Sequence, residues 1–130
     1  MTVLTQSTYK FGETDSLFAA TQTAPVVADG FVLAAVLSGE LLRGTPLIQG
    51  ATPDELTPVT ADSEEVVAIL AENVADASTD LGIVAYQSGE YNKFAIQRAL
   101  DAASISATVD GLTIKARTNS IYFKTAIKAV

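Results

Sequence analysis

The sequence predicts one small α+β domain that is mainly β, with one short helix, a sharply bent ribbon that forms an incomplete barrel, and an extended N-terminal arm. A length of 130 residues suits a single compact domain that buries a core without cross-links. Apolar residues make up 48% of the chain and charged residues 18%, which is typical of a folded protein. Short apolar runs separated by Gly and Pro favour strands. We assign residues 1–28 to the arm and residues 29–130 to the domain.

The first 28 residues are rich in Thr, Gln, Ser and Ala, and no strong turn signal pairs them with a neighbouring strand. Because Thr, Val, Tyr and Phe favour extended backbone, this segment is either an arm that becomes a strand on a partner or an ordinary N-terminal strand of the domain. Phe18 and the aromatic residues before it are either packed onto the domain or kept for a partner. The candidate contact residues of the arm are Thr5, Ser7, Tyr9 and Phe11.

A bent ribbon is predicted for residues 39–47, after a turn at Asp29-Gly30 and a buried strand over residues 31–37. Its two glycines have apolar pairs between and after them, and Gly supplies the positive φ angles or close backbone approaches that sharp bends need. The proline of this run lacks an N–H group and belongs at a strand start or a sheet edge. The candidate structural residues are Gly39, Arg43, Gly44, Pro46 and, further along the chain, Gly89.

Downstream of the ribbon, residues 50–65 are predicted to form a polar, acidic loop, and residues 66–71 and 83–90 to form strands. The run at 66–71 also fits a helical period, but its β-branched residues and the polar break at residues 76–80 favour a strand. Gly89 marks a bulge or a turn.

The one predicted helix is capped by Asn92 and carries an apolar stripe from Phe94 to Ala103. Beyond it, residues 105–109 and 112–116 alternate around Asp110-Gly111, which is a strong hairpin signal. Residues 121–130 are predicted to form the last strand.

The composition excludes several kinds of chemical site. The chain has no Cys and no His, which removes disulfides, thiolate metal sites, the commonest general base and the commonest zinc ligand. No glycine-rich phosphate-binding motif is present. Asp76-x-Ser78-x-Asp80 has the spacing that opens a calcium loop, but Leu81 and Gln87 stand where that loop needs Gly and Glu. A polar turn is favoured there, and we expect no metal, no cofactor and no enzymatic activity.

The charge is negative overall and unevenly placed. A net charge of −7 argues against nucleic acid as a partner, and the longest apolar run, residues 31–37, is too short to span a membrane. Residues 1–92 carry a net charge of −11 and residues 93–130 a net charge of +4. Either the two halves pack together and their charges mix, or an acidic and a basic face meet between subunits or on a larger surface. We expect no signal peptide, because the start lacks a basic region followed by a long apolar run.

Two runs and the distance between them resemble a known family. The first is Gly-Glu-Leu-Leu-Arg-Gly-Thr-Pro-Leu at residues 39–47. The second is Val-Val-Ala-Ile-Leu-Ala at residues 66–71, a polar break at residues 76–80, and Ile-Val-Ala-Tyr-Gln-Ser-Gly-Glu-Tyr at residues 83–91, with a looser echo over residues 121–127. Together they resemble the head decoration proteins of tailed bacteriophages, the trimeric capsid-stabilising proteins of the lambda type. The first run is also similar to the sharply bent ribbon of β-clip domains.

This resemblance implies a β-clip-like mixed domain with little helix that sits as a homotrimer on the outer surface of expanded phage heads. It implies a virion protein, made in the host cytoplasm, that holds neighbouring subunits of the major capsid protein together against the pressure of packaged DNA. In the family the N-terminal arm becomes ordered on the capsid, typically by adding a strand to a capsid sheet. The hairpin around Asp110-Gly111 looks additional to the family pattern, and the arm is rich in Thr and Gln instead of Pro.

Two other functions stay open on the sequence. A β-clip module of a phage tail or cell-surface protein would bind a small ligand or a glycan, and it predicts a concave pocket and a monomer. An enzyme would use the acidic residues of 50–65 or the turn at 76–80. Paired carboxylates can hydrolyse glycosides, but such sites usually carry aromatic sugar platforms and the chain has no Trp.

Overall fold

The computed structural model describes residues 17–19, 27–33, 39–77 and 80–125. Within these residues the chain forms seven strands and two helices. The strands are β1 (Val27–Leu33), β2 (Pro46–Gln49), β3 (Glu55–Pro58), β4 (Ala68–Leu70), β5 (Leu81–Tyr86), β6 (Gly89–Asn92) and β7 (Ile121–Lys124), and the helices are α1 (Lys93–Ala102) and α2 (Val109–Arg117).

Five of the strands close into a small barrel in the order β1-β3-β2-β4-β5, and β5 pairs back to β1. β1 and β3 run parallel, and the other neighbours run antiparallel. Closure gives each barrel strand two neighbours and so removes the open edges that invite aggregation. A cluster of buried aliphatic side chains comes mainly from these strands and includes Leu33, Leu47, Leu56 and Leu70.

This arrangement confirms the predicted α+β class, mainly β, and corrects two details of it. The barrel is closed instead of incomplete, because β5 pairs with both β4 and β1. Two helices are present within the described residues instead of one.

β6 and β7 form a separate parallel pair on which the helices pack. The pair begins at Gly89 opposite Ile121 and ends at Asn92 opposite Lys124. A second buried cluster joins this pair and the helices to the barrel. It includes Ile69 of β4, Tyr91 of β6, Ile96 of α1 and Leu112 of α2.

Helix α1 begins where the sequence predicts. The side-chain oxygen of Asn92 accepts a hydrogen bond from the N–H of Phe94 at 3.0 Å, which satisfies one of the free donors of the first turn. Phe94 was predicted to lie in the apolar stripe, but 61% of it is exposed, so the stripe prediction is wrong at this residue. The buried residues of the helix are Ala95, Ile96, Ala99 and Leu100.

The hairpin predicted around Asp110-Gly111 is wrong, because these residues lie in helix α2. Thr108 caps this helix, and its hydroxyl oxygen accepts a hydrogen bond from the N–H of Gly111 at 3.1 Å. The carboxylate of Asp62, from a distant loop, accepts the N–H of Thr108 at 2.6 Å. A Cβ atom on Gly111 would collide with this carboxylate, so the glycine leaves the space that the carboxylate occupies.

Other element boundaries also differ from the predictions. The Asp29-Gly30 pair does not reverse the chain: it lies inside β1, where the register with β5 shifts as at a bulge. The polar segment 50–65 contains β3, which was predicted to be loop. β4 and β7 lie within the runs predicted as strands. The single strand predicted over residues 83–90 is wrong, because this run is divided between β5, which starts at Leu81 and ends at Tyr86, and β6, which starts at Gly89. Residues 34–37 and 126–130 of the predicted strands lie outside the described residues.

Candidate functional site

The residues of the first resembling run form a tight turn followed by a barrel strand. The N–H of Gly44 donates to the carbonyl of Leu70 at 2.9 Å, and the N–H of Leu70 donates to the carbonyl of Thr45 at 2.9 Å. Thr45 is fully buried, and its hydroxyl donates to the carbonyl of Leu42 at 2.7 Å. β2 begins at Pro46, the position expected for a residue without an N–H group. The polar groups of this turn are therefore satisfied inside the fold.

Gly44 is the place where the ribbon approaches its neighbours most closely. Its φ angle is +105°, and an ideal Cβ atom there would lie 2.9 Å from Cδ1 of Leu17. Gly39 has a similar φ angle of +100°, but its Cβ atom would meet open space. Both glycines relieve backbone strain, and only Gly44 also makes room for a packed neighbour. Gly89 begins β6, where its N–H donates to the carbonyl of Ser120 at 3.0 Å.

Arg43 joins the ribbon to three other parts of the chain. Its Nε donates to the carbonyl of Ala71 at 3.2 Å, and its Nη2 donates to the hydroxyl of Tyr86 at 2.8 Å. The guanidinium carbon lies 5.5 Å from the centre of the Phe18 ring and 5.6 Å from that of Tyr86, within the range of cation–π attraction. The backbone N–H of Arg43 donates to Oδ1 of Asn73 at 2.7 Å. One side chain thus connects the residue that follows β4, strand β5 and the segment that precedes β1.

Three aromatic rings meet beside Arg43. The centre of the Phe18 ring lies 5.3 Å from that of Tyr86, nearly edge-on, and 5.5 Å from that of Tyr91. Tyr91 is fully buried, and its hydroxyl donates to the carbonyl of Ser88 at 2.6 Å. Burial raises the pKa of the Tyr91 hydroxyl above its usual range, Tyr86 raises it further, and Arg43 opposes the shift. Tyr91 is therefore a neutral hydrogen-bond donor at physiological pH.

Residues 17–19 are docked on β6. The N–H of Asn92 donates to the carbonyl of Leu17 at 2.7 Å, and the N–H of Ala19 donates to the carbonyl of Glu90 at 3.2 Å. Leu17 is 3% exposed and belongs to the core cluster that Phe18 packs against. These residues, which the sequence analysis places in the arm, thus contribute to the core. The candidate arm contacts Thr5, Ser7, Tyr9 and Phe11 lie outside the described residues.

A small cleft of about 170 Å³ opens between the ribbon and helix α1. Arg98 is exposed, and its side chain forms no hydrogen bond or ion pair with any residue that the structure describes. The amide oxygen of Asn73 is used by the backbone of Arg43, and the amide NH2 group of Asn73 has no acceptor among the described residues. The apolar lining includes Leu17, Ala95 and Ala99, and the polar lining comes from Arg43, Asn73 and Arg98.

Two acidic residues of segment 50–65, Glu55 and Glu64, accept hydrogen bonds from nearby backbone. Oε1 of Glu64 accepts the N–H of Thr60 at 2.6 Å and that of Ala61 at 3.0 Å, and Oε1 of Glu55 accepts the N–H of Ala51 at 2.8 Å. Burial alone would raise the pKa of the Glu64 carboxyl, but these hydrogen bonds outweigh it and hold the pKa below its usual value. Side-chain acceptors of this kind stabilise turns.

Contacts also connect the acidic and basic halves of the chain. Oε2 of Glu65 accepts a hydrogen bond from Nδ2 of Asn119 at 2.8 Å, and Nζ of Lys124 lies 3.2 Å from Oε2 of Glu90. The two halves therefore pack together within one chain, as one of the two interpretations of the charge distribution predicts.

Within the described residues, no group of three or more potential metal ligands comes together, and no helix is long and apolar enough to cross a membrane. Residues 78–79 of the predicted polar turn lie outside the described part of the chain. Comparisons of the chain with models of protein families, with curated proteins and with solved structures found no match.

Sequence reasoning missed the partners of Arg43 and the cleft that Arg98 lines. Tyr86 stands in a predicted strand and Phe18 in the predicted arm, and no local pattern links either of them to the ribbon. The one available signal was Phe18 itself, an aromatic residue in a polar segment, which predicted either packing onto the domain or a partner. The structure packs it onto the domain.

Proposed function

We propose that this chain is a non-enzymatic decoration protein of a phage head. It binds the outer surface of the expanded capsid as a homotrimer and stabilises the shell against internal DNA pressure. Its partners are the major capsid protein and further copies of itself. The observation that carries the proposal is that the first resembling run, residues 39–47, forms one internally satisfied turn and strand of the barrel. We propose that this turn corresponds to the bent ribbon of a β-clip domain.

The docking of residues 17–19 supports a role for the residues that precede them. Two backbone hydrogen bonds to β6 and the Phe18–Arg43 contact fix this point of the chain to the domain. Sixteen residues precede it, and a fully extended segment of that length reaches roughly 55 Å. Pairing of such a segment with an unpaired strand edge on the capsid would supply main-chain hydrogen bonds. Thr5, Ser7, Tyr9 and Phe11 would contact the capsid from one side of that strand.

A trimer explains how short arms could bind strongly. Three linked arms raise the effective concentration of one another, so the assembly binds more tightly than a single arm. Threefold closure uses a head-to-tail interface, in which the exposed bases Arg98 and Arg117 of one copy could face the acidic half of the next.

The second candidate function is a small-ligand or glycan-binding module. The cleft beside Arg98 favours it, because this alternative requires a concave site. It differs from the first candidate in predicting a chain that stays monomeric.

The test is co-sedimentation of the purified chain with heads of the source phage, in expanded and in unexpanded form. We expect saturable binding to expanded heads and little binding to unexpanded heads. Cross-linking on the heads should give a species of three times the 13.5 kDa chain. Equal binding to both forms, or absence of binding to expanded heads, would contradict the proposal.

A truncation and a pair of matched variants test the arm. Deletion of residues 1–16 keeps Leu17 and its core contacts, so we expect a folded domain by circular dichroism that no longer binds heads. Replacing Tyr9 and Phe11 with Ala should weaken binding, whereas replacing Thr8 and Lys10, which alternate with them, should matter far less. Full binding by the truncated chain would rule out the arm.

A further inference from the structure

We infer that the cleft between the ribbon and helix α1 binds a carboxylate carried on a short apolar stem. The carboxylate comes either from an acidic side chain of a protein or from a free small carboxylic acid. The inference does not depend on the capsid function, because only the residues that line the cleft support it.

Arg98 supplies the binding group. It lies on the exposed face of α1, and its guanidinium has no carboxylate or other hydrogen-bond acceptor among the described residues. A guanidinium presents several N–H donors in a planar fork that matches the two oxygens of a carboxylate. An exposed arginine at the wall of a concave surface is thus suited to pair with an incoming carboxylate.

The opposite side of the cleft adds a fixed positive charge and a further donor. Arg43 is one of the lining residues, and the bonds of its guanidinium to Ala71 and Tyr86 hold that charge in one position. Oδ1 of Asn73 is occupied by the N–H of Arg43, which orients the amide group and leaves its NH2 group as a donor. The turn and the helix therefore each contribute a cationic residue to the cleft, and the lining residues that the structure describes include no acidic one.

The size and lining of the cleft restrict the ligand. Its volume is 170 Å³, whereas sites for drug-sized ligands measure about 300–1,000 Å³. A cavity of about 150 Å³ is large enough for benzene, so a carboxyl group with a few carbon atoms fits in the cleft. The methyl groups of Ala95 and Ala99 and the side chain of Leu17 provide apolar surface for the stem.

The experiment is a titration of the ¹⁵N-labelled full chain with sodium propionate, followed by heteronuclear NMR at matched ionic strength. We expect saturable shifts at the backbone amides of Ala95 and Ala99 and at the side-chain amide of Asn73. Propionamide, which has the same stem without the charge, should give no saturable shift.

Three variants separate the site from general charge effects. Arg98→Gln should abolish the saturable response, and Arg117→Gln, which removes an exposed arginine elsewhere, should preserve it. Asn73→Asp keeps the acceptor for Arg43 but places a negative charge at the cleft, and it should also abolish the response. The chemical-shift dispersion of the amide signals, recorded without ligand, shows whether each variant is folded. Shifts that do not saturate, or that are equal in wild type and Arg98→Gln, would overturn the inference.

A second arm of the experiment distinguishes the two sources of the carboxylate. If propionate or Arg98→Gln lowers the mean mass of the protein by light scattering, the site accepts an acidic side chain of a second copy. If the mass is unchanged while propionate binds, the site accepts a carboxylate from elsewhere. Binding of propionate by a chain that does not sediment with expanded heads would support the site and contradict the capsid function.

Discussion

The guanidinium of Arg43 lies 5.5 Å from the centre of the Phe18 ring, and this contact fixes the docked N-terminal segment to the bent ribbon. The two residues are far apart in sequence and belong to segments that the sequence analysis treats separately. Arg43 is held in turn by the hydroxyl of Tyr86, at 2.8 Å. An arginine of the first resembling run therefore helps to hold residues 17–19 on the domain.

Substitution of Phe18 tests this contact. Phe18→Ala removes a half-buried ring that packs against Tyr86, Tyr91 and Arg43. We expect a loss of roughly 2–3 kcal/mol in the free energy of unfolding, less than the 3–5 kcal/mol typical of a fully buried Phe. Urea unfolding followed by circular dichroism measures it. Phe94→Ala, at a position that is 61% exposed, serves as the control and should change stability by less than about 0.5 kcal/mol.

Three glycine substitutions separate backbone strain from crowding. Gly82 has no positive φ angle, and a Cβ atom there would meet open space, so Gly82→Ala should leave the free energy of unfolding nearly unchanged. At Gly39 a Cβ atom would also meet open space, but the φ angle is +100°. Gly39→Ala should therefore lower the free energy of unfolding by about 1 kcal/mol through backbone strain alone. Gly44→Ala adds the clash with Leu17 and should cost roughly 1–3 kcal/mol more. Equal losses at Gly39 and Gly44 would show that the ribbon does not press on the docked segment.

The carboxylate of Asp62 should stabilise helix α2 from outside the helix. It accepts the N–H of the capping residue Thr108 at 2.6 Å, near the positive end of the helix dipole. Asp62→Ala should lower the free energy of unfolding by about 1–2 kcal/mol. Asp54→Ala removes an exposed carboxylate that has no hydrogen bond within the described residues, and it should be nearly neutral. Similar effects for both variants in thermal unfolding would contradict the capping role.

The Glu64 carboxylate should make part of the stability depend on pH. Its pKa in the folded chain lies below the usual 4.5: burial raises it, and the hydrogen bonds from Thr60 and Ala61 lower it by more. A lowered folded-state pKa means that the stabilisation is present above the unfolded-state pKa and is lost as the pH falls through the folded-state pKa. The stability difference between wild type and Glu64→Gln should therefore be constant well above pH 4.5 and should shrink as the pH falls through and below that value. A difference that stays constant over this fall in pH would contradict the assignment.

Local sequence patterns predicted the parts of the fold that depend on local chemistry. Asn92 is a favourable N-cap residue, and the structure uses its side chain in that role. Pro46 was expected at a strand start because it lacks an N–H group, and β2 begins there.

The errors arise where a distant residue decides the outcome. The pair Asp110-Gly111 predicts a hairpin turn from local pattern alone. Asp62 instead accepts the N–H of Thr108 and occupies the space over Gly111, and both contacts favour a helix. Barrel closure depends on pairing between β1 and β5, which no local pattern encodes. The candidate site behaves in the same way: Arg43 stands out in the sequence, but its contacts with Phe18 and Tyr86 exist only after folding.

Hydrogen exchange of the full chain, free and bound to expanded heads, tests the central claim most directly. The claim is that the residues before Leu17 pair with a strand on the capsid. We predict that binding increases the protection of backbone amides within residues 2–16 and leaves the protection of barrel amides such as those of Leu47 and Ile69 unchanged. Tight binding to expanded heads without added protection in residues 2–16 would contradict the claim.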